Sequence, residues 1–486
     1  MRSILAVVNV LGALLALFGA YYLLPIATAL IYGEPGALRA FIESAVGTLA
    51  VGAGLYYGTL RYRAELKPRD GYLLVSLSWL MMTLAAAVPL MRTAPALSFT
   101  DAYFEAMSGL STTGSTVITG IDQLPHAVNM WRHALHWLGG MGIIVLAVAV
   151  LPLLGVGGMQ MYRAEAPGPV KDAKLTPRIT ETAKALWMVY AGMTVLCFLA
   201  LWAAGMSLFD AVCHAFSVMA LGGFSTHDAS VGWFNSPWIE LVMILFMLLA
   251  MLNFATHFTA LRRRDFGAYR RDPEARWGFI WLGVGLVAVT AIVHGANLYP
   301  DFLTALRHSA FSVVTLATTS GFVTQDYSLW PLFAPMLMLF LSCVICSTGS
   351  TGGGIKLFRA LIMIKQWFRE SFALVHPHAV IPLKIAGQVV SNRVVNSVLA
   401  FVFVYFMTIV VLTFAMLATS MDFISAFTAV LASINNAGPG LSQVGPATNY
   451  ATLSDFQVWI CTLAMFLGRI ELFTFLVLFT RTFWRK

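Results

Sequence analysis

Four short polar patches carry the residue types with which this sequence could do chemistry. They are Ser111-Thr112-Thr113-Gly114-Ser115, Leu221-Gly222-Gly223-Phe224, Thr319-Ser320-Gly321-Phe322 and Asn436-Ala437-Gly438-Pro439. Each follows a short apolar segment and lies between two long ones. The chemistry they suit is coordination of a cation that has lost its water. Backbone carbonyls replace hydration oxygens without adding a full countercharge. Turning several carbonyls to one side demands backbone angles that glycine tolerates and most residues do not. The hydroxyls of Thr112, Thr113, Thr319 and Ser320 could add oxygens. Short helices ending at the patches would aim their partly negative C-termini at the same point. Glycines also let membrane helices pack closely, as expected of Gly139-Gly140-Met141-Gly142. Packing alone does not account for four recurrences in the same context.

The elements that must position these patches follow from composition. The chain has 486 residues, 59% hydrophobic and 11% charged, against roughly 25% charged in soluble proteins. That excludes an ordinary soluble surface and points to a membrane protein. A spanning helix needs about 20 apolar residues. Ten candidates lie near 4–31, 37–60, 71–91, 130–154, 183–205, 237–260, 277–297, 331–359, 395–419 and 456–480. The segments 101–111, 209–220, 303–318 and 423–434 are too short to cross and are predicted as half-membrane helices. The formal net charge is +8, and basic residues cluster after every even-numbered span, as in Arg61, Arg63, Lys67 and Arg69 or Arg262, Arg263 and Arg264. The positive-inside rule then puts both termini in the cytoplasm and brings the patches in from outside. Such short basic clusters mark orientation rather than nucleic-acid binding.

An internal repeat ties spans and patches together. Thirteen residues before Gly114, Gly223, Gly321 and Gly438 stand Asp101, Asp210, His308 and Ser425. Asp101, Asp210 and Ser425 are the expected N-caps of three half-helices, with Asp301 or Thr304 capping the third in order. The units share one orientation, which makes them parallel repeats around a pore axis. The predicted fold is an all-α polytopic membrane protein with about ten transmembrane helices and four parallel helix–pore-helix–loop–helix repeats around one central pore, plus two N-terminal helices. The divisions are 1–68 for the N-terminal pair, then 69–165, 166–270, 271–376 and 377–486 for the repeats.

Other features carry weaker signals. Ser347-Thr348-Gly349-Ser350-Thr351-Gly352-Gly353-Gly354, followed by Ile355-Lys356, interrupts the eighth span. It misses the phosphate-loop pattern because Ile355 separates Gly354 from Lys356. A flexible break there is a candidate gate. Arg469 lies in the last span, where a charge costs about 2.5–3.5 kcal/mol at the bilayer centre. It reads as a cationic barrier in the pore or as half of a salt bridge with Glu471. Cys343 and Cys346 have CxxC spacing with no second Cys or His pair nearby, and small buried thiols are preferred over a redox or metal pair. His126, His133 and His136 are expected at the interface, and Trp131, Trp137, Trp233, Trp238 and Trp330 in an aromatic belt. Glu34 and Arg39 are expected to be solvated. Residues 155–182 read as a linker or a docking surface for a cytosolic partner.

These motifs resemble the Trk/Ktr/HKT superfamily of potassium transporters, and most closely its bacterial Trk membrane subunits. The residues that carry the resemblance include Ser111-Thr112-Thr113-Gly114, Trp137-Leu138-Gly139-Gly140-Met141-Gly142, Met159-Gln160-Met161-Tyr162-Arg163, Gly222-Gly223-Phe224-Ser225-Thr226-His227-Asp228, Gly349–Gly354, Asn435-Asn436-Ala437-Gly438-Pro439-Gly440 and Gly468-Arg469. The likeness covers essentially the whole chain. It implies potassium uptake across a bacterial inner membrane through a filter built from Thr112, Thr113 and Gly114, Leu221, Gly222 and Gly223, Thr319, Ser320 and Gly321, and Asn436, Ala437 and Gly438. It implies a gating loop at Ser347, Thr348, Gly349, Ser350, Thr351, Gly352, Gly353 and Gly354, with Lys356 and Arg469 beside it. It also implies a homodimer and a cytosolic ring of nucleotide- and NAD-binding regulatory subunits, with no nucleotide site in this chain. In that family a serine at the first filter glycine goes with sodium, so Gly114 argues for potassium. The fourth loop, with Pro439, departs most from the others. The alternative is a proton- or sodium-coupled secondary transporter of the same architecture. An intramembrane enzyme would need a nucleophile–base or metal set that the sequence does not offer.

Overall fold

The computed structural model describes residues 2–64, 66–93, 97–142 and 179–485. The expected docking loop at 155–182 lies mostly outside the described residues, as does the fourth span beyond Gly142. The N-terminal helices are α1 (Arg2–Tyr21), α2 (Leu23–Tyr32) and α3 (Pro35–Gly58). They are followed by α4 (Pro68–Thr93), α5 (Phe99–Leu110), α6 (His126–Gly140), α7 (Ile179–Ala203), α8 (Leu208–Ala220) and α9 (Pro237–Ala250). Then come α10 (Phe254–Arg263), α11 (Gly267–Arg271), α12 (Pro273–Gly295), α13 (Phe302–Ala317), α14 (Phe333–Ser342) and α15 (Leu357–Val375). A two-stranded ribbon, β1 (Lys384–Ile385) with β2 (Gln388–Val389), precedes α16 (Asn392–Leu417), α17 (Phe423–Ile434), α18 (Asp455–Arg469) and α19 (Leu472–Leu476).

Among the described residues six apolar helical stretches are long enough to cross a membrane. Two further stretches are bent: α9 meets α10 at 93°, and α18 meets the helical segment after it at 104°. The eighth expected span is not one helix, because 343–356 is non-helical between α14 and α15. The tenth is not continuous either. Arg469 is the last residue of α18, and Glu471 just beyond it has φ +59°.

The short helices α5, α8, α13 and α17 begin where cap chemistry dictates, three residues before the expected caps in three of the four. Ser98 and Ser207 accept from the backbone N–H groups of Asp101 and Asp210, and Asp422 accepts from that of Ser425. The aspartates are therefore the third residues of their helices, and each accepts a bond from the capping serine's own hydroxyl. A lost cap of this kind costs about 1 kcal/mol. Asp301 caps α13 by accepting from Thr304. That helix has 16 residues against 12, 13 and 12 for α5, α8 and α17. The extra turn is why His308 falls outside the spacing pattern.

The N-terminal pair packs through rings onto α6: Tyr22 stacks on Trp131 with centroids 4.5 Å apart. Trp131 is fully buried and donates its indole N–H to Ala86 O, and Trp330 is buried as well, so neither belongs to a belt. Trp233 and Trp238 are exposed. Glu34 is not simply solvated. Its carboxylate accepts the first N–H groups of α6, from His126 and Ala127, and so supplies a cap from another helix. Gly139 and Gly468 do serve close packing: a Cβ on either would overlap a carbonyl, Leu110 O or Ile434 O, at the end of a short helix.

His227 joins the loops after α5 and α8. Its Nδ1 lies 2.5 Å from Asp122 Oδ1, its Nε2 lies 3.6 Å from Asp210 Oδ1, and its ring stacks on Trp233 at 3.8 Å. Burial works against charge on this ring, but the two carboxylates outweigh it and the pKa is raised. Burial likewise opposes ionisation of Asp122, while His227 holds its carboxyl below the usual range. The histidine contribution is therefore full below an ordinary histidine pKa and is lost as pH rises through the raised value; the aspartate contribution is lost as pH falls through the lowered one. The thermal midpoint of the detergent-solubilised protein is expected to fall as pH rises above the ordinary histidine range, and His227→Gln should flatten that fall. A variant with the wild-type profile would show that the clasp does not set it.

Candidate functional site

The four expected loops share one backbone signature. Thr112, Leu221, Thr319 and Asn436 are left-handed, with φ of 57°, 54°, 62° and 54°. Two residues on, Gly114, Gly223, Gly321 and Gly438 have φ of 82°, 83°, 79° and 83°. The residue between them closes the helix end. Thr113, Gly222, Ser320 and Ala437 donate their N–H to Ser108, Ser217, Thr315 and Ala432 O, at 2.9, 2.9, 2.7 and 2.8 Å. A left-handed residue after the last turn, with a bond back over five residues, is how helices commonly terminate.

The loops also touch in a ring. A Cβ on Gly114 would overlap Gly222 O, one on Gly223 would overlap Ser320 O, and one on Gly321 would overlap Ala437 O. One on Gly438 would lie 2.8 Å from Thr113 O, which returns to the first loop. Each glycine thus faces the central carbonyl of the next loop, in chain order, and the series closes on itself. A residue larger than glycine lacks both the φ and the space. The hydroxyls have neighbours of their own. Thr113 Oγ1 accepts from Asn436 Nδ2 at 3.0 Å and lies 2.7 Å from Ser111 Oγ. Ser320 Oγ lies 2.9 Å from Thr318 Oγ1. Gly438 O accepts from both Ser115 and Tyr450 hydroxyls at 2.9 Å, which ties the fourth loop to the first.

Behind the ring stands a buried ion pair that neither composition nor spacing points to. Glu105 in α5 accepts from Arg132 Nε in α6 at 2.8 Å, with both side chains essentially inaccessible. Glu105 also accepts from Thr116 Oγ1 and Val117 N. Arg132 reaches the second loop through Ser225 O at 3.3 Å and the Phe224 ring at 4.2 Å. His214 occupies the register in α8 that Glu105 holds in α5, nine residues before the loop glycine, and lies 2.9 Å from Ser225 Oγ, two residues after it. Strut and loop therefore recur together behind two of the four loops. His133 and His136 are not interfacial: both are fully buried, and His136 stacks on Phe224 at 4.1 Å and packs against Gly222. The available signal for Glu105 was a charge inside an apolar half-helix; nothing in the sequence pairs it with Arg132.

On one side of the ring the non-helical segment 343–356 touches residues at the second, third and fourth loops. Gly353 N donates to Thr319 Oγ1 at 2.9 Å, and Gly353 itself abuts Asn435 O. Thr351 Oγ1 donates to Met219 O at 3.0 Å. Lys356 Nζ donates to Gly352 O. Arg469 donates to Thr351 O at 2.9 Å and to Gly140 O at 3.0 Å, and also to Gly139 O. Glu471 pairs instead with Arg359 at 2.7 Å. The five cysteines are free and buried; Cys346 Sγ lies 3.4 Å from Thr318 O. Among the described residues no three His, Cys, Asp or Glu side chains gather as metal ligands.

The arrangement has relatives. The family model TrkH, described as a cation transport protein, matches residues 37–486. The chain is 47% identical over 483 residues to the Trk system potassium uptake protein TrkH of Salmonella typhimurium, covering 99% of each. It is 38% identical over 482 residues to the Trk system potassium uptake protein TrkG of Escherichia coli, covering 99% of this chain and 98% of that one. The crystal structure of the potassium transporter TrkH from Vibrio parahaemolyticus superposes with a TM-score of 0.89 at 42% identity, over 100% of this chain and 99% of that one. All are named as transport proteins, not enzymes. With a family match that takes in all four loops and relatives aligned end to end, this multi-pass membrane chain belongs to the TrkH family of cation transport proteins.

Proposed function

We propose that the chain is the pore-forming subunit of a bacterial potassium uptake system, with both termini cytoplasmic in the inner membrane. The observation that carries this reading is the closed ring of four glycine–carbonyl contacts, built on four copies of one backbone turn. The relatives named for potassium uptake support the choice of ion. In this reading the four units are parallel repeats around one pore, divided as the sequence suggests, and Thr112–Gly114, Leu221–Gly223, Thr319–Gly321 and Asn436–Gly438 present main-chain oxygens to a dehydrated ion. The protein's work is to hold oxygens at a spacing that water would otherwise supply, so selectivity rests on the rigidity of the ring. With Gly438 O already accepting two hydroxyls, the fourth loop contributes least.

The segment Ser347–Gly354 then acts as the gate. It lies beneath the ring, bonded to units two, three and four, and Lys356 and Arg469 place positive charge beside it. A cation leaving the ring would meet both a physical plug and like charge. Opening requires Gly353 to leave Thr319 and Arg469 to leave Thr351 O. Regulation by a cytosolic nucleotide-binding ring and assembly as a homodimer belong to the same proposal.

Potassium-dependent reversal potentials in reconstituted liposomes test the whole reading: a potential set by the potassium gradient alone is expected, and one displaced by an imposed proton gradient would favour coupled transport. Gly114→Ser should raise sodium relative to potassium flux, because the new side chain must displace Gly222 O; Gly438→Ala, with more room, should change the ratio less. Equal flux ratios in all three proteins would remove the ring from selectivity. Arg132→Met leaves Glu105 buried without its partner and should destabilise by about 3–5 kcal/mol, with Glu105→Gln in the same chain restoring part of the loss of thermal midpoint. No loss in the single variant would contradict the strut. Arg469→Ala is expected to raise potassium flux severalfold, and a drop in flux with an unchanged thermal midpoint would overturn the barrier.

A further inference from the structure

We infer that the elbow formed by α10 and α11 is a binding surface for anionic phospholipid, and that its occupancy is transmitted to the segment beneath the ring. The inference rests on the membrane and transport reading above. The 14-residue α9 is too short to cross alone, but α10 leaves it at 93°, so an α9 directed along the membrane normal puts α10 parallel to the bilayer plane, with the arginines at its end directed to the surface. Its inner face is buried through Phe254, His257 and Ala260, while Leu261 and, past the helix end, Phe266 are 58% and 68% exposed. Arg262, Arg263, Arg264 and Arg270 neighbour those two apolar side chains in sequence and are exposed; Asp265 pairs with Arg271 and also attracts Arg263, which leaves the cluster strongly basic. Basic clusters immediately beside a span, interleaved with apolar side chains that can enter the headgroup region, are the chemistry that recognises anionic lipid. An acidic protein surface would match the arginines but would leave Leu261 and Phe266 unexplained.

The same elbow is bonded directly to the segment beneath the ring. Phe254 N donates to Gly349 O at 3.1 Å, and Ser347 N donates to Met251 O at 3.0 Å, both at the break between α9 and α10. Thr348 N donates to the buried Glu274 carboxylate, at the start of α12, at 2.6 Å. The elbow cannot shift freely against these points. His257 lies 2.9 Å from Leu249 O and 2.8 Å from Tyr269 Oη, and Thr256 donates to Asp272 at 2.9 Å. Lipid that holds the elbow in this position therefore favours the arrangement in which the segment blocks the pore.

The test uses the full chain in vesicles of phosphatidylcholine alone and of phosphatidylcholine mixed equally with phosphatidylglycerol. Potassium flux should be severalfold lower in the mixed vesicles. Joint replacement of Arg262, Arg263, Arg264 and Arg270 by Gln should abolish that difference and reduce phosphatidylglycerol retained in native mass spectra; replacement by Lys should keep both. Glu274→Met should retain the lipid but lose the flux response, and Asn253→Ala, which removes the side chain packed against Gly349, gives an independent check if the first variant is unstable. Equal flux in the two compositions, or a Gln variant that still responds to lipid, overturns the inference. A Gln variant that keeps its lipid but loses an acidic soluble partner would make the surface a protein dock and equally overturn it. Lipid retention lost in the Gln variant while no variant conducts potassium would support the lipid site and contradict the transport reading.

Discussion

The constraint on which everything else depends is steric: four glycines, each pressed against the central carbonyl of the next loop. At Gly114, Gly223 and Gly321 a single added carbon would overlap that oxygen, and at Gly438 it would lie 2.8 Å away. Ring closure therefore sets a fixed spacing between loops that are some hundred residues apart in sequence. Main-chain oxygens in such a ring have little freedom to collapse on a smaller ion or to spread for a larger one. The backbone turn that feeds the ring is made four times by different residues, which shows that φ and helix termination, not side-chain identity, are what the position demands.

A ring of loops within a bilayer is held from outside itself. The Glu105–Arg132 pair and the His214–Ser225 contact brace the first two loops from behind. Asn436 and Ser115 lock the fourth loop to the first. A buried charge pair is weak evidence for net stability, since desolvation offsets much of the attraction. Its value here is positional, because one arginine reaches both the loop after α5 and the loop after α8. The segment under the ring uses the same groups from below: Thr319, whose hydroxyl stands in the third loop, accepts from Gly353. Ring and segment thus share a residue, so movement of one is felt by the other.

The sequence made the glycine loops legible because backbone demands leave a strict residue signature. The four half-helices were equally visible, since 12 to 16 apolar residues cannot cross a bilayer. Cap positions were misplaced by three residues because serine–aspartate pairs occupy both the cap and the third helical position, and a thirteen-residue count back from the glycine lands on the third helical position, Asp101, Asp210 or Ser425. The breaks at Met251–Asn253 and Ile470–Glu471 were not foreseen: neither has a proline, the polar residues there do not by themselves end a helix, and tertiary contacts to segment 343–356 and to Arg359 mark them. Trp131, His133 and His136 were placed at the interface on residue type, yet the neighbouring α1, α2 and α8 cover them. Covering of that kind is a property of the assembled fold and leaves no trace in local pattern.

The central claim is that a dehydrated cation sits on the axis enclosed by Gly114, Gly223, Gly321 and Gly438. Anomalous diffraction from crystals of the protein grown with rubidium or thallium in place of potassium tests it most directly. The account predicts anomalous density on that axis, level with the carbonyls of the four loops. Ordered density confined to other parts of the molecule, with none inside the ring, would contradict it.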